Sequence, residues 1–122
     1  MCGPPRSKRR GSSLPDECLF CTLVREGEHV RKGDGFVAIR DINPRADTHL
    51  LVIPERHVSS FREIAEFPAE EDKRMLDFVA DAARDAGLDD YRVVVNAGAG
   101  AGQTVFHLHW HILSGGLTGR MA

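Results

Sequence analysis

The stretch Phe106-His107-Leu108-His109-Trp110-His111-Ile112 places a histidine at every second position and an apolar residue at each position between. Side chains of an extended chain alternate between faces, so the pattern predicts a strand from Val105 to Leu113. Three imidazoles would stand on one side, and Phe106, Leu108, Trp110 and Ile112 on the other. The apolar side is ordinary core packing. The histidine side is different, because rings spaced by two gain nothing from packing and would repel one another if all were protonated. They call for a ligand, either a metal ion or an anion undergoing chemistry.

The residues before this strand favour an anion. Asn96 closes a valine-rich segment, Gly98-Ala99-Gly100-Ala101-Gly102 breaks it, and Gln103 and Thr104 lead into the histidines. Backbone N–H groups, an amide and a hydroxyl are phosphate ligands rather than metal ligands. A hydrolytic metal centre built on the triad would want an H-x-H-x-D-H arrangement, and no Asp or Glu stands beside these histidines.

Working outward, Phe36 to Ile39 reads as a strand, Asp41-Ile42-Asn43-Pro44 as a turn, and His49 to Ile53 as a second strand ended by Pro54. Ala69 to Ala86 opens with Glu70, Glu71 and Asp72, carries Met75, Leu76, Val79, Ala82, Ala83 and Ala86 as an apolar stripe, and meets Gly87, which predicts a long helix. Tyr91 to Asn96, with Val93, Val94 and Val95, reads as a buried strand. A short helix is expected over Glu17 to Glu26, with Asp16 as N-cap and Gly27 as its stop, so that Cys18 and Cys21 share a face. The order αββαββ implies an α+β fold, an antiparallel sheet with helices packed on one face.

At 122 residues and 42% hydrophobic content the chain suits one domain that needs no disulfides. We draw it over 15–122, after a Gly, Pro, Ser and Arg-rich tail at 1–14 that has little to bury and is expected to be disordered. A formal charge of -2 gives no global attraction to nucleic acid or an anionic membrane. No apolar run approaches the roughly 20 residues of a membrane span, and the start lacks the apolar stretch of a secretory leader, so a soluble, cytoplasmic protein is expected. Cys2, Cys18 and Cys21 are odd in number, and the C-x-x-C pair points to metal binding or redox chemistry.

Gly102 to Ile112 resembles the signature of the histidine triad (HIT) family, H-φ-H-φ-H-φ with φ apolar. Asp41-Ile42-Asn43-Pro44, Thr48-His49-Leu50-Leu51-Val52-Ile53-Pro54 and Val94-Val95-Asn96-Ala97-Gly98 match that family in order and spacing, so the resemblance spans about residues 16 to 114. The segments around Asp41 and Asn96 are more similar to the Hint branch, purine nucleoside phosphoramidases, than to the dinucleoside polyphosphate hydrolases. The resemblance implies a nucleophile at His109 that attacks an α-phosphate. It implies phosphate contacts from Asn96, Thr104 and His111, a place for Gln103 beside the leaving group, and substrate contacts from Asp41, to the ribose hydroxyls, and Ile42. His49 would stand near the nucleophile as a proton relay, and the protein would be a homodimer through the Ala69–Ala86 helix and the strand after it. A dinucleoside polyphosphate hydrolase and a nucleotide sensor without turnover are the alternatives. Thr104 stands where Ser is common in the Hint branch, and the chain lacks that branch's aromatic C-terminal segment, which bears on leaving-group choice.

Two thiolates at C-x-x-C spacing make only half a tetrahedron, and two further ligands must come from elsewhere in the fold. His57 and His107 are the candidates. Many bacterial members of the family with such a C-x-x-C near the start are similar, and that resemblance implies a structural zinc ion on Cys18, Cys21, His57 and His107.

Overall fold

A computed structural model describes residues 18–117; the expected tail, Asp16 and Glu17 lie outside the described residues. Helix α1 (Leu19–Glu26) is followed by strands β1 (Arg31–Gly33), β2 (Phe36–Arg40) and β3 (Thr48–Pro54), a 3-10 segment (Phe61–Glu66) and helix α2 (Ala69–Asp85). Strand β4 (Arg92–Val94), a 3-10 turn (Ala99–Ala101) and strand β5 (Trp110–Ser114) complete the α+β fold. The five strands form one antiparallel sheet in the order β1-β2-β3-β5-β4.

Strand β1 is additional to the four expected strands. It pairs with β2 across a two-residue loop, Asp34-Gly35, whose φ angles of 57° and 91° are the positive values a tight hairpin turn needs. Strand β2 is buried on both sides: Phe36 and Ala38 join the core under α2, and Val37 and Ile39 join the core under α1. Strand β3 divides likewise, Leu50 and Val52 toward α2, Leu51 and Ile53 toward α1. The helices therefore cover opposite faces of the sheet, which corrects the expectation of a single covered face.

Acidic Glu70, Glu71 and Asp72 in the first turn of α2 and Arg84 in its last complement the helix dipole. At the other end Gly87 (φ 77°) donates to Arg84 and Leu88 to Ala83, the paired bonds of a Schellman stop, and Leu88 packs on the core. The buried stripe is Met75, Phe78, Val79, Ala82 and Ala83. Leu76 and Ala86, expected in that stripe, are exposed: Leu76 falls just beyond the stripe's edge, about 90° from its centre, and Ala86 is the C-cap past the last helical residue. Val93 is also exposed rather than buried, since β4 is an edge strand paired with β5 alone.

The histidine strand is shorter than the alternation suggests. Strand β5 starts at Trp110, opposite Val52, and the chain before it leaves the ladder, with the Leu108 N–H donating to the Val58 carbonyl at 2.8 Å. Leu108, Trp110 and Ile112 keep the expected side, in the core under α2, but Phe106 packs against the α1-side core. No helix among the described residues is long and apolar enough to cross a membrane.

Candidate active site and metal centre

The α1 side of the sheet holds a cavity of about 570 Å³, within the range of small-molecule sites. It brings together His49, His109, His111, Asp41, Ile42, Asn96 and Thr104 from the expected set. Gln103 lies outside it. Its buried amide accepts from Gly98 N–H (2.8 Å) and donates to the carbonyls of Ser59 (2.7 Å) and Val105 (3.0 Å), so it braces the glycine loop. The N–H groups of Ala101, Gly102 and Gln103 are bonded within the same loop. Asn96 donates to the Ala101 carbonyl at 2.8 Å and keeps a second amide hydrogen.

Hydrogen bonds fix the tautomers of the three cavity histidines. His109 Nδ1 lies 2.8 Å from the His107 carbonyl, which can only accept, so Nδ1 carries the proton and Nε2 keeps its lone pair. His49 Nδ1 accepts the Arg45 backbone N–H at 3.1 Å, so a neutral His49 carries its proton on Nε2. That N–H donates to His111 Nδ1 at 2.9 Å, with Asp41 Oδ2 at 3.4 Å. His111 is then left with an Nε2–H. One ring offers a nucleophilic lone pair and its neighbour a donor, with ring centres 5.0 Å apart.

Burial above all keeps these rings neutral. His111 is lowered to about 4, by burial first and by the neighbouring His109 and His49 next. His109 and His49 are lowered by burial as well, while Asp41 pulls both the other way. Asp41 binds the Asn43 N–H at 2.8 Å through one oxygen and faces His49 with the other.

The opposite wall is apolar and came largely unannounced. Leu19, Phe20 and Leu23 of α1, with Ile39, Leu51 and Val105, form it, and Arg40 and Arg45 also line the cavity. Phe20 stands edge-on to His109, with centroids 4.9 Å apart at 87°. A helical stripe through Phe20 and Leu23 was the available signal.

Beside the cavity, Cys18, Cys21, His57 and His107 offer ligand atoms all within 4.8 Å of one another. His107 donates from Nε2 to the Pro54 carbonyl at 2.9 Å, which turns Nδ1 toward the sulfurs of Cys18 (3.4 Å) and Cys21 (3.5 Å). His57 Nδ1 is 3.3 Å from Cys21 Sγ and 3.0 Å from His107 Nδ1. Metal bonds of about 2.0 to 2.3 Å give tetrahedral edges of about 3.3 to 3.8 Å, close to this spacing, and the Pro54 carbonyl already fixes the His107 tautomer. The spacing and donor types fit zinc when both sulfurs are reduced thiolates. Asp41, His49 and His111 also cluster, but the Arg45 N–H on His49 Nδ1 leaves His49 Nε2 protonated, so that group suits proton transfer better than metal. Cys18 is also the N-cap of α1, its sulfur accepting the Cys21 N–H at 3.2 Å.

The chain belongs to the HIT domain family, which matches residues 23–116. It is 31% identical over 113 residues to the purine nucleoside phosphoramidase of Escherichia coli (strain K12), covering 88% of this chain and 95% of that protein. It is 40% identical over 105 residues to an uncharacterized HIT-like protein of Chlamydia trachomatis, covering 80% and 88%. Among solved structures, a HIT family hydrolase from Clostridium thermocellum superposes with a TM-score of 0.77 at 35% identity, over 87% of this chain and 96% of that one.

Proposed function

We propose that the protein is a nucleotide hydrolase or transferase that cleaves purine nucleoside 5'-phosphoramidates, or related nucleotides, at the α-phosphate through a nucleotidyl-histidine on His109. The observation that carries this reading is the tautomer set, an unprotonated His109 Nε2 beside a neutral His111 that donates from Nε2. His109 Nε2 attacks phosphorus, the bond from phosphorus to the leaving amine breaks, and the amine departs with a proton from solvent. Water then displaces the imidazole and releases the nucleoside monophosphate. The cationic nucleotidyl-imidazole between these steps keeps its Nδ1–H on the His107 carbonyl and lies in the field of Asp41. Asn96, Thr104 and His111 would hold the phosphate, and the apolar wall with Ile42 the base. Resemblance to a phosphoramidase over nearly the whole chain supports the substrate class.

Zinc on Cys18, Cys21, His57 and His107 would be structural, joining α1 to the loop before β5. The reduced thiolates it needs suit a cytoplasmic setting. A homodimer through α2 and β4 is supported by exposed Leu76 (53%) and Val93 (42%). Val93 pairs with Ile112 and so lies on the α2 side of an otherwise open sheet edge.

The test is a turnover screen with adenosine and guanosine phosphoramidates, diadenosine polyphosphates and nucleotide sugars, together with rapid quench of a phosphate-labelled substrate. Phosphoramidate cleavage with an acid-labile nucleotidyl-histidine supports the proposal. Preference for a diadenosine polyphosphate would move the substrate class, and binding without turnover or adduct would make the protein a sensor.

A further inference from the structure

The His109 ring packs against His111 at 5.0 Å, and its two other contacts come from segments that carry the metal-ligand set. The first is the His107 carbonyl, 2.8 Å from His109 Nδ1, on a residue whose own ring joins the cluster. The second is Phe20, edge-on at 4.9 Å, which stands between Cys18 and Cys21 in sequence and also packs against the His107 ring at 6.3 Å. The helix bearing Phe20 turns Leu19 and Leu23 to the same cavity. With eight residues, α1 is far below the length that holds a helix unaided. Its place depends on its small apolar core and on what joins Cys18 and Cys21 to His57 and His107.

We infer that a divalent zinc ion on Cys18, Cys21, His57 and His107 positions the nucleophile His109 and the apolar nucleoside wall together, with Phe20 as the positioning residue between them. This rests on the zinc and nucleotide readings above. Joining two thiolates on α1 to an imidazole at 107 fixes α1 against the loop that enters β5. The same joint sets the Phe20 edge on His109 and holds the His107 carbonyl under His109 Nδ1. Asn96 follows β4, and His111 is held within β5 by its pairing with Leu51 and Val94 and by the His49 ring, so these phosphate contacts keep their places when the joint is lost. Nucleoside recognition and His109 alignment depend on the metal, and phosphate binding does not.

His57 offers a clean test, because it is exposed and does not line the cavity. Wild type, His57→Ala and Phe20→Ala are purified under reductant. Each is measured for zinc content, for affinity toward adenosine monophosphate and inorganic phosphate by calorimetry, and for the His109 ring by 15N NMR. Wild type should hold one equivalent of zinc. Zinc-stripped wild type and His57→Ala should bind adenosine monophosphate about tenfold more weakly, bind phosphate within about twofold of wild type, and show an averaged His109 tautomer. Phe20→Ala should keep its zinc and reproduce the nucleotide loss, and added zinc should restore the stripped wild type. Zinc present in wild type but with no effect of its removal on nucleotide affinity or the His109 signals would overturn the coupling and leave the metal assignment standing. Wild type without zinc would overturn the metal assignment and the coupling with it. Full nucleotide affinity in Phe20→Ala would remove Phe20 from the role.

Discussion

His49 Nε2 lies 2.9 Å from His111 Nδ1, and a backbone N–H on the far side of the His49 ring decides which of the two atoms carries the proton. The pair acts as one unit: the Arg45 amide sets His49, and His49 sets His111. Replacing His49 by Phe keeps the ring volume and removes the donor. We expect kcat to fall about a hundredfold with KM within about threefold, in line with the loss of an oriented hydrogen-bond donor to the reacting phosphate. Steady-state kinetics beside circular dichroism checks it, and a loss below tenfold would show that His111 needs no such guidance.

His109→Ala removes the lone pair and leaves the phosphate contacts in place. Turnover should disappear while nucleoside monophosphate affinity stays within about tenfold. Residual kcat above about one per cent of wild type would place the nucleophile elsewhere.

The pH dependence follows from burial. His111 is lowered to about 4 and His49 is lowered as well, each against an ordinary value of 6.5. Between those limits the unfolded chain binds protons that the folded chain does not, so this stabilisation is complete above 6.5 and is lost as pH falls toward 4. The denaturant midpoint should therefore begin to drop below about pH 6.5, and kcat/KM should hold to about pH 5 before its acid limb. An acid limb centred at the ordinary histidine value would mean that these rings are solvated.

How far the sequence could be read depended on how local each signal was. The histidine alternation identified the rings of the site, and α2 was plain from its acidic start and glycine stop. Its stripe was misdrawn because Leu76 and Phe78 are equally apolar, and only packing on the sheet decides between them. Asp34-Gly35 was a legible hairpin signal for β1. The continuous apolar run Phe36-Val37-Ala38-Ile39 was a legible sign of a strand covered on both faces. The alternation also overstated β5, since where a ladder ends depends on the partner strand, and β3 stops at Pro54. The apolar cavity wall joins α1, β2 and β3, and such long-range juxtaposition leaves no trace in spacing.

Cys18→Ser tests the metal centre as a staple. Structural zinc contributes on the order of 10 kcal/mol in small peptides, and a domain of this size shifts by about 4 to 8 °C per kcal/mol. A fall in Tm of at least about 10 °C in the variant, with a similar fall when wild type is dialysed against a chelator, is expected from differential scanning calorimetry. Unchanged melting in both would rule the staple out.

Leu76→Glu with Val93→Glu should convert a dimer into a monomer at micromolar concentration by sedimentation velocity, because both side chains are already exposed in the single chain. A wild type that sediments as a monomer would dispose of the dimer.

The sheet separates two apolar clusters of unequal size, and their cooperativity should differ in consequence. The α2 side gathers Met75, Phe78, Leu108, Trp110 and Ile112 among its members, whereas the α1 side rests on Phe20, Val24 and their strand contacts. Amide hydrogen exchange should therefore report two opening units, with α2 and the central strands protected up to the global free energy and α1 released by a smaller, sub-global fluctuation. A Met75→Ala cavity would cost about 2 to 5 kcal/mol and act on the whole domain. An equal insult on the α1 side would raise the population of a species whose sheet is intact and whose binding wall is open, so stability assays would pass variants that substrate assays reject.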